Sequence, residues 1–548
     1  MPKITVSKKK LKKSLGTKLS DEKLEREISF LGTDFDGFVG DEGEIEIFPN
    51  RPDLLSRVGL VRSLKQFLDI NTGFKDYKAL DSDFVVNIEK SVKNVRPKTS
   101  CVVVKNLSLN QDLLDQIIEL QEKLHVTYGR RRKKVAIGVY PLDKIKWPIT
   151  YKAISKDKVS FKPLGKKEVM SYDDIVSKTE AGKKYKDLVA NSKIAIFEDS
   201  DENVLSIPPI INSDDVGKVQ EKTTEVFIEC SGFDQDAVDK ALDIICAFFS
   251  DVGGKLYKVK VCYDKDEFYT PKLGKQELKV SKNYIESKLG FKLTKKEIKE
   301  CFQRMGYKVK NNDFSVIVPC YRTDVLGKID LVEDVAIGYK FYNIDIDKDF
   351  NYTIGSLEDK TVFKEKVTDL LVGLGYVENY SYNLVDSDFQ KISYPNKKFV
   401  KTINHVSERY DSLRYKVFIS LLNNLVTNQN NRYPQKIFEI GRSFEYDKNE
   451  ETGVKETESL GICIASEDNS FTQIRSIIEL LNKNLDINLK IISDDKNIFL
   501  PGRGASVVLN EEVIGFIGQL HPRIISTLKL KIPISILEID LEILQKHT

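Results

Sequence analysis

The chain is too long to fold around a single hydrophobic core. It has 548 residues, whereas a single core stops growing at roughly 250–300 residues. Hydrophobic residues make up 41% and charged residues 31% of the chain, a balance typical of globular domains. The sequence therefore predicts several domains, about three to five at the usual domain size.

Charge and cysteine usage exclude some classes of protein. The 86 Lys and Arg residues nearly balance the 83 Asp and Glu residues, so a nucleic-acid partner must be argued from local patches. The 7 cysteines form no C-x-x-C pair, which argues for reduced thiols and against structural zinc. Since no stretch approaches the ~20 apolar residues of a membrane span, we expect a cytoplasmic protein with no membrane partner.

Hydrophobic periodicity changes along the chain. Residues 44–48 alternate like a strand, and Ser56 is placed to cap the helix that follows. Residues 102–104, 135–139, 193–197 and 226–230 read as strands of a mixed α/β region. Further on, Thr294 and Glu297 form a capping box, and Asn311 with Asn312 predicts a hairpin turn. The last 200 or so residues mix amphipathic helices with strands and are α+β in character.

One acidic constellation stands out, formed by Asp324, Asp330, Glu333 and Asp334. If residues 326–336 are helical, the last three carboxylates emerge on one face and repel one another. A hard cation such as Mg²⁺ would relieve this repulsion. A solvated acidic surface helix explains the same spacing, and spacing alone favours that explanation.

Two motifs resemble the β subunit of archaeal and eukaryotic-type phenylalanyl-tRNA synthetases. They are Phe48-Pro-Asn-Arg-Pro-Asp-Leu-Leu-Ser56 and Arg322-Thr-Asp-(x5)-Asp330-Leu-Val-Glu-Asp334. Segments 124–138, 207–212, 438–441 and 501–505 are similar to that family in the same order. The resemblance spans nearly the whole chain, and the ordered set is more specific than any one motif.

The resemblance implies a multidomain α/β and α+β fold. Its expected parts are an N-terminal structural domain (1–94), an inserted editing-type B3/B4-like domain (95–268), a winged-helix-like B5 domain (269–346) and a degenerate class II synthetase-like antiparallel-sheet domain (347–548). It also implies that Mg²⁺ is bound at the contact with the α subunit by Asp324, Asp330, Glu333 and Asp334.

The family further implies an (αβ)2 heterotetramer that charges tRNA(Phe). A class II activating site needs a motif arginine and a Gly-rich element ending in arginine, and we recognise neither in this sequence. Phenylalanine activation with ATP is therefore expected on the α subunit. Four arginines of the last domain are weaker candidates, since scattered arginines more often form surface ion pairs: Arg442, Arg475, Arg503 and Arg523.

Editing is the chemistry expected of this chain itself. An apolar pocket for phenylalanine rejects tyrosine by only ~10², so a second, hydrolytic site is useful, and the family has it in the inserted domain. By resemblance, the pocket residues are Ser206, Asn212, Thr224 and Glu229. Such residues near prolines also serve turns and caps. Without a Ser-His-Asp or Cys-His set, we expect a positioned water rather than a covalent intermediate.

Two features flank the expected pocket. The basic run holding Arg130, Arg131 and Arg132 could contact tRNA phosphates, or it could be a solvated start of a strand. Where relatives tend to have a histidine and an aspartate after the Ile-Gly pair, this chain has Val139-Tyr140-Pro141. If this segment lines the pocket, its chemistry differs here.

Two other functions compete with the synthetase subunit. A nucleic-acid-binding adapter would use the winged-helix-like segment, where Lys295, Lys296 and Lys299 cluster. A stand-alone aminoacyl-tRNA deacylase would use the inserted domain without a partner. Neither explains the 48–56 motif or the acidic constellation, which favours the synthetase subunit.

Overall fold

The computed structural model describes residues 2–189, 192–264, 266–311, 314–345, 353–468, 470–494 and 496–548. It divides into two compact units, Met1–Lys348 (unit 1) and Asp349–Thr548 (unit 2). Among the helices of the described residues, none combines the length and apolarity that crossing a bilayer requires.

Unit 1 mixes strands and helices throughout. Its strands are β1 Lys3–Ser7, β2 Asp34–Phe35, β3 Glu42–Glu46, β4 Ala79–Leu80, β5 Val85–Ile88, β6 Lys98–Lys105, β7 Val135–Pro141, β8 Ile149–Ser155, β9 Ser160–Phe161, β10 Met170–Ser171, β11 Lys193–Glu198, β12 Val204–Ile207, β13 Ile211–Asn212, β14 Val226–Gly232, β15 Lys255–Cys262, β16 Glu267–Thr270, β17 Gln276–Lys279, β18 Lys308–Val309 and β19 Ser315–Val318. Its helices are α1 Lys8–Leu15, α2 Asp21–Phe30, α3 Arg57–Phe67, α4 Gln111–Val126, α5 Tyr172–Lys178, α6 Glu180–Tyr185, α7 Asp214–Gly217, α8 Gln235–Asp251, α9 Lys282–Leu289, α10 Lys295–Arg304 and α11 Lys328–Tyr339.

The N-terminal part of unit 1 is a three-stranded antiparallel sheet in the order β1-β3-β2. Ile4 and Ile45 pair across β1 and β3, and both are buried. As predicted, Ser56 caps α3: its hydroxyl accepts a hydrogen bond of 3.1 Å from the Gly59 amide. The cap places the 48–56 segment directly against the start of a buried helix.

The central part is an eleven-stranded sheet whose main path runs β13-β12-β11-β8-β5-β15-β6-β14-β7. The strands predicted from residues 102–104, 135–139, 193–197 and 226–230 are confirmed as parts of β6, β7, β11 and β14. One face packs on α8 and α4, and the other encloses a core containing Tyr140, Tyr151 and Phe227. Because residues of β7 and β12 touch although these strands lie near opposite ends of the path, the sheet curls on itself.

The third part of unit 1 combines α9, α10 and α11 with a sheet in the order β17-β19-β18. The capping box of Thr294 and Glu297 is confirmed at the start of α10. The β18–β19 hairpin is confirmed as well, although Asn312 of its predicted turn lies outside the described residues. The acidic helix begins at Lys328 rather than near residue 326, because Gly327 is its N-cap.

Unit 2 is built on one sheet in the order β20-β23-β24-β28-β27-β26-β25, antiparallel except at β20. Its strands are β20 Val377–Glu378, β21 Leu384–Val385, β22 Ser412–Leu413, β23 Gln435–Tyr446, β24 Val454–Ala465, β25 Lys490–Ser493, β26 Phe499–Leu509, β27 Glu512–Leu520 and β28 Ile534–Asp540. Its helices are α12 Asp359–Gly373, α13 Ser387–Ser393, α14 Val417–Thr427, α15 Ser470–Leu485, α16 Pro522–Thr527 and α17 Leu541–Lys546.

Candidate functional sites

The acidic constellation surrounds a buried arginine. Arg322 donates from Nε and Nη2 to the two oxygens of Asp324 at 2.9 and 2.7 Å, and from Nη2 to Asp334 at 2.7 Å. The Tyr307 hydroxyl donates to the same Asp334 oxygen. Since a bidentate arginine neutralises a carboxylate strongly, Arg322 compensates the charges of Asp324 and Asp334 in part inside this chain.

Asp330 and Glu333, which carry the other two carboxylates of the acidic constellation, have different surroundings. Asp330 accepts hydrogen bonds of 2.8 Å from the amides of Leu326 and Gly327, so it caps its own helix. Glu333 is exposed. Partial burial, and then the charges of Asp334, Asp324 and Asp330, raise the pKa of Glu333. The acidic residues therefore do not share one exposed face of α11, although all four line one pocket of about 280 Å³ together with Arg51 and Arg322.

The N-terminal motif forms the other wall of this pocket. Arg51 binds Asp53 in a two-pronged ion pair of 2.9 and 3.0 Å, and the guanidinium of Arg62 lies 3.8 Å above the Tyr321 ring. Burial alone would raise the pKa of Asp53, but Arg51 and Arg62 outweigh it and hold that pKa below its ordinary value. The charge of Arg51 also favours the ionised form of Asp334, a contribution that the spacing of the acidic residues does not reveal.

The pocket fits a magnesium ion only in part. Its donors are oxygens, which suits Mg²⁺, and Mg²⁺ commonly uses one or two carboxylates plus water or partner groups. However, within the part of the chain that the structure describes, no three His, Cys, Asp or Glu side chains gather as metal ligands would. Asp330 uses Oδ2 for both of its hydrogen bonds and Glu333 is exposed at the pocket, so these two carboxylates would be the ones to share a cation with ligands from outside the chain.

A second cluster lies inside the curled sheet of unit 1. On the paired strands β7 and β14, Gly138 lies opposite Glu229 and Tyr140 lies opposite Phe227. Side chains two residues apart share a face of a strand, and the Tyr140 side chain lies back over Gly138. A Cβ atom at Gly138 would collide with the Tyr140 hydroxyl and Glu229 Oε1, so glycine leaves the room that the phenol fills.

The Tyr140 phenol is held by residues from both ends of the sheet path. Its oxygen lies 2.8 Å from Ser206 Oγ on β12 and 3.2 Å from Glu229 Oε1 on β14. The ring stacks on Phe227 with 5.8 Å between centroids and 26° between planes. Two polar groups and an aromatic ring thus converge on one phenol.

The charge state of Glu229 follows from its surroundings. The residue is 2% exposed, and burial raises the pKa of Glu229 to about 8. The charge of Arg96 lowers the pKa of Glu229 but does not outweigh burial, and the Arg96 guanidinium donates to Ser231 Oγ at 3.1 Å and to the Ser231 carbonyl at 2.6 Å. Glu229 is therefore mostly a neutral carboxylic acid at pH 7, able to donate a hydrogen bond to a phenol oxygen.

The structure separates the four residues expected in the pocket. Ser206 and Glu229 meet at Tyr140, and half-buried Asn212 pairs with Ser206 across β12 and β13. Asn212 borders the cluster, because a Cβ placed at Gly217 would lie 3.0 Å from Asn212 Cβ and 3.6 Å from Tyr140 Cδ1. Thr224 is exposed ahead of β14, where its carbonyl accepts from the Leu107 amide, so it does not join the others.

The arginine run forms an unusual turn. Arg130, Arg131 and Arg132 all have positive φ, at 49, 53 and 64°, a conformation that costs non-glycine residues energy. Arg132 holds the turn in place: it donates to the carbonyls of Ile210 at 2.9 Å and Pro209 at 3.2 Å, beside the pocket segment. Arg130 and Arg131 are exposed and remain available to bind phosphate.

In unit 2, the side chain of Arg414 lies against one face of the central strands of the sheet. Glu439, Gly461 and Glu538 stand side by side on β23, β24 and β28. Arg414, which is 1% exposed, donates to Glu439 at 2.5 Å and to the Arg442 carbonyl at 2.7 Å. A Cβ at Gly441 would collide with this guanidinium. Of the arginines considered from the sequence, Arg442 forms an exposed ion pair with Glu456, and Arg475, Arg503 and Arg523 are exposed.

Matches to known protein families are distributed along the whole chain. Four family models match: the B1 domain of Phe-tRNA synthetase beta subunits at residues 1–70, the B3/4 domain at 81–245, the tRNA synthetase B5 domain at 278–341 and the phenylalanyl-tRNA synthetase beta chain CLM domain at 348–541. These matches confirm the predicted multidomain α/β fold with B3/B4-like and B5-like parts. The predicted boundaries between the four domains stay predictions.

Individual relatives agree with these matches. The chain is 35% identical to the phenylalanine–tRNA ligase beta subunit of Pyrococcus furiosus, with 99% of each chain covered, and 32% identical to that of Methanocaldococcus jannaschii, with 99% of this chain and 100% of that one covered. Among solved structures, an N-terminal fragment of the phenylalanyl-tRNA synthetase beta subunit from Pyrococcus horikoshii matches with a TM-score of 0.59 at 36% identity, covering 62% of this chain and 99% of the fragment.

Proposed function

The chain belongs to the family of phenylalanine–tRNA ligase beta subunits, and we propose that it is the non-activating subunit of a class II ligase that also hydrolyses mischarged Tyr-tRNA(Phe). Its proposed partners are an α subunit, in an (αβ)2 assembly, and tRNA(Phe). Phenylalanine and ATP would react on the α subunit, and we expect the assembly in the cytoplasm.

Two features of unit 2 support the non-activating role. The buried Arg414 guanidinium and the Glu439 carboxylate occupy the face of the central strands, where an activating subunit would need open space for an adenylate. Arg442, one of the arginines considered as substrate contacts, is paired with Glu456 instead. Matches along the whole chain also favour a ligase subunit over a nucleic-acid adapter or a stand-alone deacylase.

One observation carries the editing proposal: Ser206 and Glu229 converge on a single phenol oxygen, at 2.8 and 3.2 Å. A site with these groups distinguishes tyrosine from phenylalanine because phenylalanine would leave buried polar groups unpaired. Asn212 borders the cluster and could position the attacking water near the ester. Exposed Arg130 and Arg131 could hold the phosphates of the tRNA end.

Deacylation by the αβ assembly tests this proposal. We expect Ser206→Ala and Asn212→Ala to leave Phe-tRNA(Phe) synthesis unchanged while the hydrolysis of Tyr-tRNA(Phe) falls. Thr224→Ala is the matched control, since it removes a hydroxyl that is exposed and apart from the cluster. If Ser206→Ala and Thr224→Ala hydrolyse Tyr-tRNA(Phe) equally well, the site is assigned to the wrong residues.

We also propose that Mg²⁺ binds at the acidic pocket through Asp330 and Glu333, with further ligands from water and the α subunit. Partial burial, and then the charges of Asp334, Asp324 and Asp330, raise the pKa of Glu333, and a bound cation would compensate those charges. Asp330→Ala and Glu333→Ala should then weaken αβ association in Mg²⁺, measured by sedimentation, whereas Glu300→Ala, elsewhere on the same unit, should not. Assembly that is indifferent to both substitutions and to chelators would remove the metal from this pocket.

A further inference from the structure

We propose that Tyr140 occupies the place of the substrate: its phenol fills the position that the side chain of a mischarged tyrosine would take, and its ring must leave before Tyr-tRNA(Phe) can be hydrolysed. This inference rests on the proposed editing function and assigns Tyr140 a role in controlling access to that site. It follows from the identity of the two chemical groups, since the site already holds a tyrosine phenol.

The hydrogen-bonding groups of the site are engaged by this internal phenol. Ser206 and Glu229 are the polar side chains that reach its oxygen, and both are almost completely buried. Glu229 Oε2 has no hydrogen-bond partner among the described residues. An incoming phenol could not bind both Ser206 and Glu229 while the hydroxyl of Tyr140 lies between them.

The packing around Tyr140 also leaves no room for the side chain of a second tyrosine. Tyr140 is fully buried, with Phe227 stacked on its ring and the Gly138 backbone beneath its hydroxyl. Protein interiors are packed as densely as organic crystals, so a second aromatic ring does not fit beside the first. Removing the Tyr140 side chain would leave a cavity with the shape of a phenol, bearing hydrogen-bonding groups at its far end.

An ordinary core tyrosine would also be buried and hydrogen-bonded, so the test must separate the two roles. A cavity that recognises a phenol should distinguish p-cresol, which is the tyrosine side chain, from toluene, which lacks the hydroxyl. A cavity left by a core residue either collapses or binds both compounds alike.

The first measurement uses the full chain in its αβ assembly, with the thermal shift and calorimetric binding of each compound. We expect Tyr140→Ala to bind p-cresol at least about tenfold more tightly than toluene, whereas the wild type and Tyr140→Phe bind neither, because the ring still fills the site. Tyr140→Val, which suits a strand, provides the same cavity if the alanine variant folds poorly. Equal binding of the two compounds, or no binding in both small variants, would overturn the proposal.

The second measurement follows the hydrolysis of Tyr-tRNA(Phe). If the site is accessible only while Tyr140 is displaced, the apparent affinity for Tyr-tRNA(Phe) equals the affinity of the open site multiplied by the fraction of time that the site is open. We therefore expect Tyr140→Ala to raise kcat/KM by about tenfold or more, and Tyr140→Phe to raise it less, because the ring remains but loses its hydrogen bonds.

The outcomes separate the two proposals. If Tyr140→Ala and Tyr140→Phe both lower hydrolysis, Tyr140 positions the substrate instead of excluding it, and the proposal fails. If p-cresol binds selectively to the alanine variant while neither wild type nor variant hydrolyses Tyr-tRNA(Phe), occupancy by Tyr140 is supported and the editing function is refuted.

Discussion

Glu229 in unit 1 and Glu439 in unit 2 are buried glutamates on interior strands of large sheets. Their exposed fractions are 2% and 1%, and each has one carboxylate oxygen without a hydrogen-bond partner among the described residues. Their partners differ. Glu439 faces the guanidinium of Arg414 at 2.5 Å, whereas Glu229 faces the hydroxyl of Tyr140 and the guanidinium of Arg96 is bound to Ser231.

Because the two glutamates are almost equally buried, the difference between them lies in their partners. With an arginine beside it, a carboxylate keeps a compensated charge and the pair becomes part of the framework. With only hydroxyls beside it, the carboxyl holds its proton near neutral pH and can exchange hydrogen bonds with a neutral group such as a phenol. The ion pair of Arg322 with Asp324 follows the first pattern, and the Tyr140 cluster follows the second; at Asp334, burial outweighs the charge of Arg322 and raises the pKa.

Breaking the ion pair in unit 2 should have the largest effect. Arg414→Met leaves the carboxylate of Glu439 buried without its cation, which we expect to cost about 3–5 kcal/mol of stability. Urea unfolding of the variant measures this loss. Arg442→Met is the matched control, because Arg442 forms an exposed ion pair with Glu456; similar midpoints for the two variants would mean that Glu439 does not need Arg414.

Replacing Glu229 in unit 1 should change the stability of the protein by an amount that depends on pH. The folded-state pKa of Glu229 is raised from 4.5 to about 8, so its favourable contribution is complete below pH 4.5 and is lost as the pH rises towards 8. The free energy of unfolding should fall there with a slope approaching about 1.4 kcal/mol per pH unit.

Glu229→Gln removes this dependence because glutamine does not ionise. The Tm of the variant should therefore rise relative to that of the wild type between pH 5 and pH 8.5. A Tm difference that stays constant over this range would show that Glu229 is ionised in the folded protein, as a glutamate beside an arginine would be.

The hydroxyl pair in the Tyr140 cluster should contribute a smaller energy. Ser206→Ala removes a neutral hydrogen bond of 2.8 Å to Tyr140, which is worth about 1 kcal/mol. A double-mutant cycle with Tyr140→Phe, measured by urea unfolding, isolates the interaction. Additive losses would place no direct bond between the two hydroxyls.

The smallest effects are expected for two neighbouring arginines, of which Arg132 is bound to backbone carbonyls and Arg131 is exposed. Arg132→Ala should destabilise unit 1, because its guanidinium binds the carbonyls of Pro209 and Ile210. Arg131→Ala should barely change the Tm but should reduce the slope of log K against log salt for tRNA binding by about 0.7–0.9, as expected for one phosphate contact. An unchanged slope would exclude Arg131 from the tRNA interface.

The elements that could be predicted from the sequence are those whose causes are local. The Ser56 cap, the capping box of Thr294 and Glu297, and strands β6, β7, β11 and β14 depend on residues within a few positions of one another. β17 was missed because Gln276–Lys279 is mostly exposed and shows no apolar alternation. Spacing on α11 placed three carboxylates together but gave no sign that Arg322 would lie between Asp324 and Asp334.

The order of motifs along the chain was enough to identify the family, and hydrophobic periodicity was enough to locate the main elements, because both are properties of neighbouring residues. The contact between Ser206 and Tyr140 depended on the sheet, which curls until strands from opposite ends of its path meet. That closure brings Ser206 to the pair formed by Tyr140 and Glu229, while Arg96 donates to Ser231. The tertiary structure therefore decided the charge of the site, because burial and the choice of partner set the free energy of an ionised carboxyl.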